Sequence, residues 1–305
     1  MVKFDIISGF LGSGKTTLIK KILTSFDSNE KVALIENEFG DVNVDREVLK
    51  IEGFEGFEGF EIYEITNGCV CCKLKGDFIF TLKQILTHKF NRIIFEPSGI
   101  FIIGEIFDLF KDPQISSNCF INSITTVVDA QNFSNHNQCY SGFFKSQICS
   151  ASSLVVSKTQ FLSVDEIFQL KLELRILNET ATILAKDWLE LSNEELLSLI
   201  DKQTLLIVTD IAHSLHHDFE SIGLRTSKIF KLEQLESVLD KCIIGGYGNI
   251  LRGKGFIKSD NGYLEFHYVD GHYSIIKSTG VTTGIISFIG EDLQKGPLAA
   301  AFQIK

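Results

Sequence analysis

The feature that most constrains the fold is a glycine-rich stretch at residues 9–16, which reads Gly-Phe-Leu-Gly-Ser-Gly-Lys-Thr. It matches the phosphate-loop pattern Gly-x-x-x-x-Gly-Lys-Ser/Thr in full. An apolar stretch at residues 2–8 precedes it, and residues 16–25 have the spacing of a helix. Glycines let backbone amides turn towards phosphate groups, and the N-terminus of the following helix adds its dipole. A strand, this loop and a helix in that order predict a nucleotide-binding domain.

Specific residues around this loop have separate expected roles. Lys15 would neutralise the terminal phosphates, and the Thr16 hydroxyl would coordinate Mg2+. A second phosphate-sensing element is expected at the end of another strand, where Glu96 would hold the Mg2+ shell and the Gly99 amide would face a γ-phosphate. Asp129, which ends a further strand, is a candidate for the same neighbourhood, although a capping or turn role suits its position equally well.

The apolar pattern predicts an α/β fold, a P-loop NTPase domain with a mostly parallel sheet. Apolar, β-branched stretches of this kind are typical of strands that are buried on both faces. The predicted strands are residues 2–8, 32–36, 92–96, 124–129, 154–157 and 183–185, and the predicted helices are 16–25, 78–86, 164–177 and 193–200.

The pattern changes after about residue 205 and predicts a smaller α+β C-terminal domain. Asn261-Gly262 and Asp270-Gly271 are hairpin signals, which favour an antiparallel sheet. We expect strands at 251–257, 263–269, 273–277 and 284–289, with helices at 232–242 and 292–302. The predicted domains are 1–210 and 228–305, joined by a linker at 211–227.

Three of the seven cysteines, Cys69, Cys71 and Cys72, lie within four positions. Soft thiolates at this spacing favour a transition-metal site for Zn2+, Cu(I) or a similar ion. A redox thiol pair and buried, inert cysteines are the alternatives. Acidic residues from Glu36 to Asp41 would complete or relay the fourth ligand position. His213, His216 and His217 form a second candidate ligand group, against the alternative that they are solvated linker residues.

Charge and composition argue against several functional classes. The chain has 29 Lys and Arg against 39 Asp and Glu, a net charge of -10, which repels nucleic acid and anionic lipid. Neither a membrane-spanning apolar run nor a signal-peptide pattern is recognised, so a cytoplasmic location without nucleic-acid or membrane partners is expected. The Glu-Gly-Phe repeat at 52–60 is interpreted as an expanded surface loop.

Four motifs in order resemble those of the CobW-like metallochaperone GTPases, a branch of the P-loop GTPases that includes the HypB and UreG maturation factors. They are the phosphate loop, Glu-Asn-Glu-Phe-Gly at 36–40, Asn-Gly-Cys-Val-Cys-Cys at 67–72 and Glu-Pro-Ser-Gly at 96–99. Residues 250–256 and 288–293 are similar to the CobW C-terminal domain.

The resemblance implies slow GTP hydrolysis coupled to delivery of zinc, cobalt or another transition metal to a client metalloprotein. Glu36 and Asp41 match acidic family positions that bind metal near the switch loop. A nucleotide-dependent homodimer is a further expectation. The implied nucleotide contacts are Gly9, Gly12, Ser13, Gly14, Lys15, Thr16, Thr17, Ser157 and Lys158, with Glu96 and Gly99 as γ-phosphate sensors and Cys69, Cys71 and Cys72 as the metal site.

One departure affects the base-reading motif, Asn/Ser/Thr-Lys-x-Asp in the family. Gln160 stands here where the aspartate would accept two guanine N–H groups. A neutral amide has one acceptor oxygen, so selectivity for guanine would be relaxed. GTP remains the expected nucleotide. An ATP- or GTP-dependent activator of a corrinoid or other metalloenzyme, and a metal-sensing scaffold that does not hydrolyse nucleotide, are the alternatives.

Overall fold

The computed structural model describes residues 1–27, 29–37, 60–65, 74–201, 219–278 and 284–302. The described residues up to 201 form one compact unit and those from 219 form another. No helix among these residues is long and apolar enough to cross a bilayer.

The first unit is built on a sheet in which seven described strands run parallel, in the order β3-β2-β4-β1-β5-β6-β7. Successive residues of the central strands are buried on both faces, as the apolar pattern predicts. The strands are β1 (Val2–Gly9), β2 (Val32–Asn37), β3 (Phe60–Ile65), β4 (Arg92–Glu96), β5 (Cys119–Asp129), β6 (Ser153–Ser157) and β7 (Thr182–Leu184).

Helices connect these strands, and two short 3-10 helices lie at Thr159–Phe161 and Trp188–Glu190. Ser163 and Ser192 begin their helices with capping boxes, in which Glu166 and Glu195 return a hydrogen bond to the cap. The helices are α1 (Lys15–Leu23), α2 (Leu74–Leu86), α3 (Gly104–Leu109), α4 (Pro113–Ser116), α5 (Phe133–Cys139), α6 (Ser141–Cys149), α7 (Val164–Leu177) and α8 (Asn193–Ile200).

Phenylalanines fill the core on one face of this sheet. Phe78 of α2 lies 5.0 Å from Phe95 of β4 and 6.5 Å from Phe4 of β1, measured between ring centroids, and both pairs are edge to face. All three rings are fully buried. Edge-to-face contacts of this kind add to the free energy of burial and orient α2 on the sheet.

A buried ion pair stabilises the sheet away from its carboxyl edge. Asp5 is 0% exposed and pairs with Arg92, which also donates to Asp201 at 2.8 Å. A register shift in β5 brings both Asn122 and Ser123 to Asp5 Oδ1, at 2.8 and 2.6 Å. Burial raises the pKa of Asp5, while the Arg92 charge and these hydrogen bonds act in the opposite direction.

The second unit contains an antiparallel sheet in the order β12-β11-β10-β13-β8, with β9 parallel to β10. Asp270 and Gly271 both have positive φ, the pattern of a type I′ turn, and join β11 to β12 as predicted. The other turn lies one residue earlier than predicted. Ser259 pairs with Gly262, so the two residues of the turn are Asp260 and Asn261 and not Asn261 and Gly262. The elements are β8 (Phe219–Thr226), β9 (Ile229–Phe230), α9 (Leu232–Ile243), β10 (Asn249–Ser259), β11 (Gly262–Val269), β12 (His272–Ser278), β13 (Gly284–Glu291) and α10 (Lys295–Ala301).

The structure has strands where sequence analysis predicted a linker or a loop. β8 lies inside the predicted linker at 211–227 and pairs with β13, so the second sheet includes residues assigned there to a linker. Phe60, the last residue of the Glu-Gly-Phe repeat, begins β3. The preceding repeat residues lie outside the described residues. The domain boundaries themselves stay a prediction.

Candidate functional site

The glycine-rich loop connects β1 to α1 at the carboxyl edge of the parallel sheet. Gly9, Gly12 and Gly14 have φ values of +147°, +70° and +100°, a region that side chains with a Cβ rarely adopt. A Cβ on Gly9 would also lie 2.5 Å from the carbonyl oxygen of Val127. The glycines of the pattern are therefore required by the backbone path of this loop.

Lys15 begins α1 and turns its side chain back over the loop. Its Nζ donates to the carbonyl oxygens of Gly9 at 3.0 Å and Phe10 at 3.3 Å, and the side chain is buried. The first turn of α1 carries no acidic side chain. An ammonium group and a helix N-terminus thus face the same loop, an arrangement that favours an anion.

Thr16 and Glu96 meet at the ends of neighbouring elements. Thr16 Oγ1 donates to Glu96 Oε1 at 2.9 Å, and Glu96 is the last residue of β4. Hydroxyl and carboxylate oxygens are the ligand type that Mg2+ prefers. The two residues therefore fit a magnesium site beside the loop, with Thr16 and Glu96 holding the ion that would neutralise phosphate charge.

Glu36 lies next to Glu96 in the parallel register of β2 and β4. Both side chains are buried, at 4% and 8% exposure. Two acidic residues in adjacent strands at one sheet edge supply carboxylate oxygens, the ligand type that divalent cations prefer. Within the part of the chain that the structure describes, no group of three His, Cys, Asp or Glu side chains comes together as a metal site.

Gly99 packs directly against the phosphate loop. A Cβ placed on Gly99 would lie 2.5 Å from the Leu11 backbone nitrogen and 2.8 Å from the Leu11 Cα. Its neighbour Ser98 is 6% exposed, and Ser98 Oγ has no hydrogen-bond partner among the described residues. The two loops therefore leave no room for a side chain at Gly99.

Ser157 ends β6 and Lys158 follows it, at the same edge of the sheet. Lys158 Nζ forms an ion pair with Asp129 Oδ2 at 2.6 Å, and Ser157 Oγ donates to the Val128 carbonyl. Asp129 also accepts from the backbone nitrogen of Gln131 at 3.0 Å, so the turn role considered for Asp129 is present. Gln160 is exposed in the 3-10 helix that follows.

Trp188, the single tryptophan of the chain, is not among the predicted site residues. Its Nε1 donates to the Val156 carbonyl at 3.0 Å, and the ring lies 3.3 Å from where a Gly14 Cβ would be. The available signal was its position shortly after β7, whose carboxyl end meets the same sheet edge. Trp188 thus links the phosphate loop to β6, the strand that ends at Ser157 and leads into Lys158.

Ser13 is buried beside Gly9, and Thr17 is exposed on the first turn of α1. The structure thus brings the predicted loop residues, Glu36, Glu96, Gly99, Ser157 and Lys158 to one sheet edge. The remaining candidates lie outside the described residues; they are Asp41, Cys69, Cys71, Cys72, His213, His216 and His217.

A family model described as "CobW/HypB/UreG, nucleotide-binding domain" matches residues 3–185. The chain belongs to this family. A second model, "Cobalamin synthesis protein cobW C-terminal domain", matches residues 219–304. Both matches confirm the resemblance inferred from the motifs. The first match includes the phosphate loop, Glu36, Glu96, Gly99, Ser157 and Lys158, and it ends before Trp188.

Two curated relatives are similar to parts of this chain. A Sinorhizobium sp protein named zinc chaperone CobW is 40% identical over 128 residues, covering 41% of this chain and 36% of the relative. A Schizosaccharomyces pombe protein named zinc-regulated GTPase metalloprotein activator 1 is 31% identical over 170 residues, covering 54% and 41%. The match with each therefore spans about two fifths or less of the relative's length.

Among solved structures, the Zn(II)-bound YjiA GTPase from E. coli aligns over 99% of this chain and 98% of its own. The sequence identity of this alignment is 21% and the TM-score is 0.48.

Proposed function

We propose that this chain is a GTP-binding, slowly GTP-hydrolysing metallochaperone, which binds a transition metal and delivers it to a client metalloprotein. The observation that carries the proposal is the Thr16–Glu96 hydrogen bond within a complete phosphate loop. The match to the CobW/HypB/UreG nucleotide-binding family supports the same function. Zinc is the first metal to test, because the two relatives described above are named for zinc.

The nucleotide would lie along the sheet edge with its phosphates in the loop of residues 9–16. Backbone amides from Gly9 to Gly14 would surround the phosphates, and Lys15 would neutralise them. Thr16 and Glu96 would hold Mg2+, which offsets the negative charge of the phosphates. Gly99 would sense the γ-phosphate, since its backbone already lies against Leu11 of the loop.

The base would lie near Ser157 and Lys158. Because Lys158 is paired with Asp129, the pair fixes the position of the lysine stem beside the proposed base site. Exposed Gln160 specifically favours the alternative of an ATP-using activator of a metalloenzyme, since it lacks the second acceptor oxygen of aspartate. Parallel titrations with GTP and ATP distinguish the two: a preference for GTP supports the metallochaperone GTPase, and a preference for ATP supports the activator.

The cargo metal would bind to Cys69, Cys71 and Cys72. Thiolates suit zinc and similar ions, and three of them leave one tetrahedral position for exchange with a client. Glu36 and Asp41 are proposed to complete or relay that position. The position of Glu36 supports this role. It is buried and is the second-last residue of β2, and the chain then continues towards Asp41.

Nucleotide and metal would be coupled through the segment that follows β2. Such a coupling is reciprocal, so bound metal must change nucleotide affinity by the factor by which nucleotide changes metal affinity. The proposal also includes the predicted domain organisation and a nucleotide-dependent homodimer. The domains are a P-loop domain at 1–210, a linker at 211–227 and a C-terminal domain at 228–305.

The decisive experiment is the zinc affinity of the reduced protein, measured by chelator competition without nucleotide, with GDP and with a non-hydrolysable GTP analogue. The proposal expects the affinity to differ between the nucleotide states. Cys71→Ser should weaken zinc binding strongly, whereas Cys139→Ser, at an exposed cysteine on α5, should not.

Equal zinc affinity in all three states would contradict the coupling, and unchanged binding by Cys71→Ser would contradict the thiol site. If nucleotide and zinc bind but no phosphate is released with metal and client present, the chain is a metal-sensing scaffold instead.

A further inference from the structure

Gln147 connects helix α6 to the loop that contains Gly99. The side chain is 0% exposed, and its Nε2 donates to the carbonyl oxygens of Gly99 at 3.0 Å and Phe101 at 3.3 Å. Gln147 Oε1 has no hydrogen-bond partner among the described residues. A rotated amide would place this oxygen against two carbonyl oxygens, so the two donor contacts determine the orientation of the side chain.

Helix α6 is itself held against the same sheet edge. Thr126 Oγ1 of β5 donates to the Gln147 carbonyl oxygen at 2.8 Å. Phe144 of α6 contacts Phe10 of the phosphate loop, with ring centroids 6.4 Å apart at 89°. Helix α6 therefore contacts both the phosphate loop and the loop after β4, and these contacts fix the position of one loop relative to the other.

We propose that Gln147 is a positioning residue for nucleotide sensing, which holds the backbone at Gly99 where its amide can meet the terminal phosphate. The proposal rests on the proposed nucleotide-binding function and deepens it. Gly99 faces Leu11 with no room even for a Cβ between them, so the position of its backbone decides how the loop after β4 meets the phosphate loop. Two buried hydrogen bonds from one rigid amide restrict that shift.

The proposal makes a prediction about selectivity between nucleotides. GDP lacks the terminal phosphate, so its affinity does not depend on the position of the Gly99 amide. Removal of both donors should therefore lower the affinity for a non-hydrolysable GTP analogue by about tenfold and change the affinity for GDP by less than about twofold.

Gln147→Met and Gln147→Leu remove both donors and retain most of the side-chain volume, and either variant suffices if the other fails to fold. Thr125→Val is the matched control, because it removes a buried hydrogen bond of the same strand, from Thr125 Oγ1 to the Leu199 carbonyl, which does not involve α6. Affinities for GDP and for the GTP analogue are measured by calorimetry with Mg2+ on full-length protein, after thermal melting has shown that each variant is folded.

The expected result is a selective loss of GTP-analogue affinity in the Gln147 variants and a ratio of the two affinities like that of the wild type in Thr125→Val. If a folded Gln147 variant keeps the wild-type ratio, or if Thr125→Val shows the same selective loss, the positioning role is wrong while the proposed function stands. If the wild-type protein binds neither nucleotide, the proposed function fails and the positioning role fails with it.

Discussion

The Thr16 hydroxyl donates a 2.9 Å hydrogen bond to Glu96, eighty positions away in the sequence. Their meeting follows from the sheet, because β1 and β4 are parallel neighbours and both end at the same edge. The helix that starts after the glycine loop thus contacts the acid that ends β4. This pair is the basis of the proposed magnesium site.

Thr16→Ala should make nucleotide binding nearly independent of Mg2+. We expect GTP affinity to fall by about tenfold or more in Mg2+ and to stay near the wild-type value in EDTA, since only the ion contact is lost. Thr24→Ala is the control, because Thr24 follows the same helix and its exposed hydroxyl donates to the Lys21 carbonyl at 2.9 Å. An equal loss in EDTA would show that Thr16 acts on the fold instead of on the ion.

Trp188 should report nucleotide binding by its fluorescence. Its ring lies against the phosphate loop at Gly14, and it is the single tryptophan of the chain. We expect the emission to change in intensity or wavelength when GDP or a GTP analogue is titrated, and the signal to disappear in Trp188→Phe. Calorimetry that shows binding without any change in emission would contradict this placement of the indole.

Gly99→Ala should impair nucleotide binding, because its new Cβ would collide with the Leu11 backbone. We expect GTP affinity to fall by more than about tenfold, with a stability cost of roughly 1–3 kcal/mol. Gly76→Ala in α2 is the matched control, since a Cβ there meets nothing within 4 Å. Alanine at that helical position should raise stability by about 0.4–1 kcal/mol. Equal affinities for both variants would contradict the close approach of the two loops.

Arg92→Met should destabilise the first unit strongly. It leaves the fully buried Asp5 carboxylate without its cation, which costs roughly 3–5 kcal/mol in unfolding free energy. Lys83→Met removes the partly exposed ion pair with Asp112 and should cost no more than about 1 kcal/mol. Urea unfolding of the three proteins provides the measurement, and similar midpoints for both variants would argue against a structural role for the buried pair.

Cys119 and Cys242 should resist alkylation in the folded protein. Burial raises the pKa of each thiol to about 12, with the Asp5 charge adding to the effect at Cys119. Iodoacetamide at pH 8 followed by mass spectrometry should modify exposed Cys139 and leave these two unmodified until denaturant is added. Rapid labelling of either buried thiol in the native protein would contradict the structure.

The raised pKa values of these two thiols also predict that the folded protein loses stability at alkaline pH. They ionise near pH 9 when unfolded but remain protonated up to about pH 12 when folded, so the unfolded state releases protons first. The free energy of unfolding should therefore fall as pH rises above about 9, by up to roughly 1.4 kcal/mol per pH unit for each thiol. The double variant Cys119→Ala/Cys242→Ala should show a shallower decline than the wild type.

Strongly periodic elements were predictable from the sequence. Helix Val164–Leu177 has its predicted bounds, and its start is specified locally by the Ser163 and Glu166 capping box. Strands β2 and β4 were recognised as unbroken apolar stretches. Such elements are encoded by residues close in sequence, so no knowledge of the tertiary fold is needed to find them.

Elements with mixed polarity were not recognised. β3 at Phe60–Ile65 is the outermost strand of its sheet and contains two glutamates, and β8 at Phe219–Thr226 carries charges and a glycine. Helix α5 reads Phe-Ser-Asn-His-Asn-Gln-Cys and has little intrinsic helix preference. Each depends on pairing or packing with residues far away in the chain, and this overrides local preference.

By itself the sequence determined the glycine loop, the strand before it and the helix after it, because their glycines, lysine and apolar spacing are local requirements of backbone geometry. Only the tertiary structure decided that Thr16 meets Glu96, that Trp188 lies on Gly14, and that Gln147 holds the Gly99 carbonyl. Those contacts join positions 48 to 174 residues apart, and they exist because parallel strands bring their carboxyl ends to one edge. No local pattern specifies such a meeting, since it depends on the order in which the strands assemble.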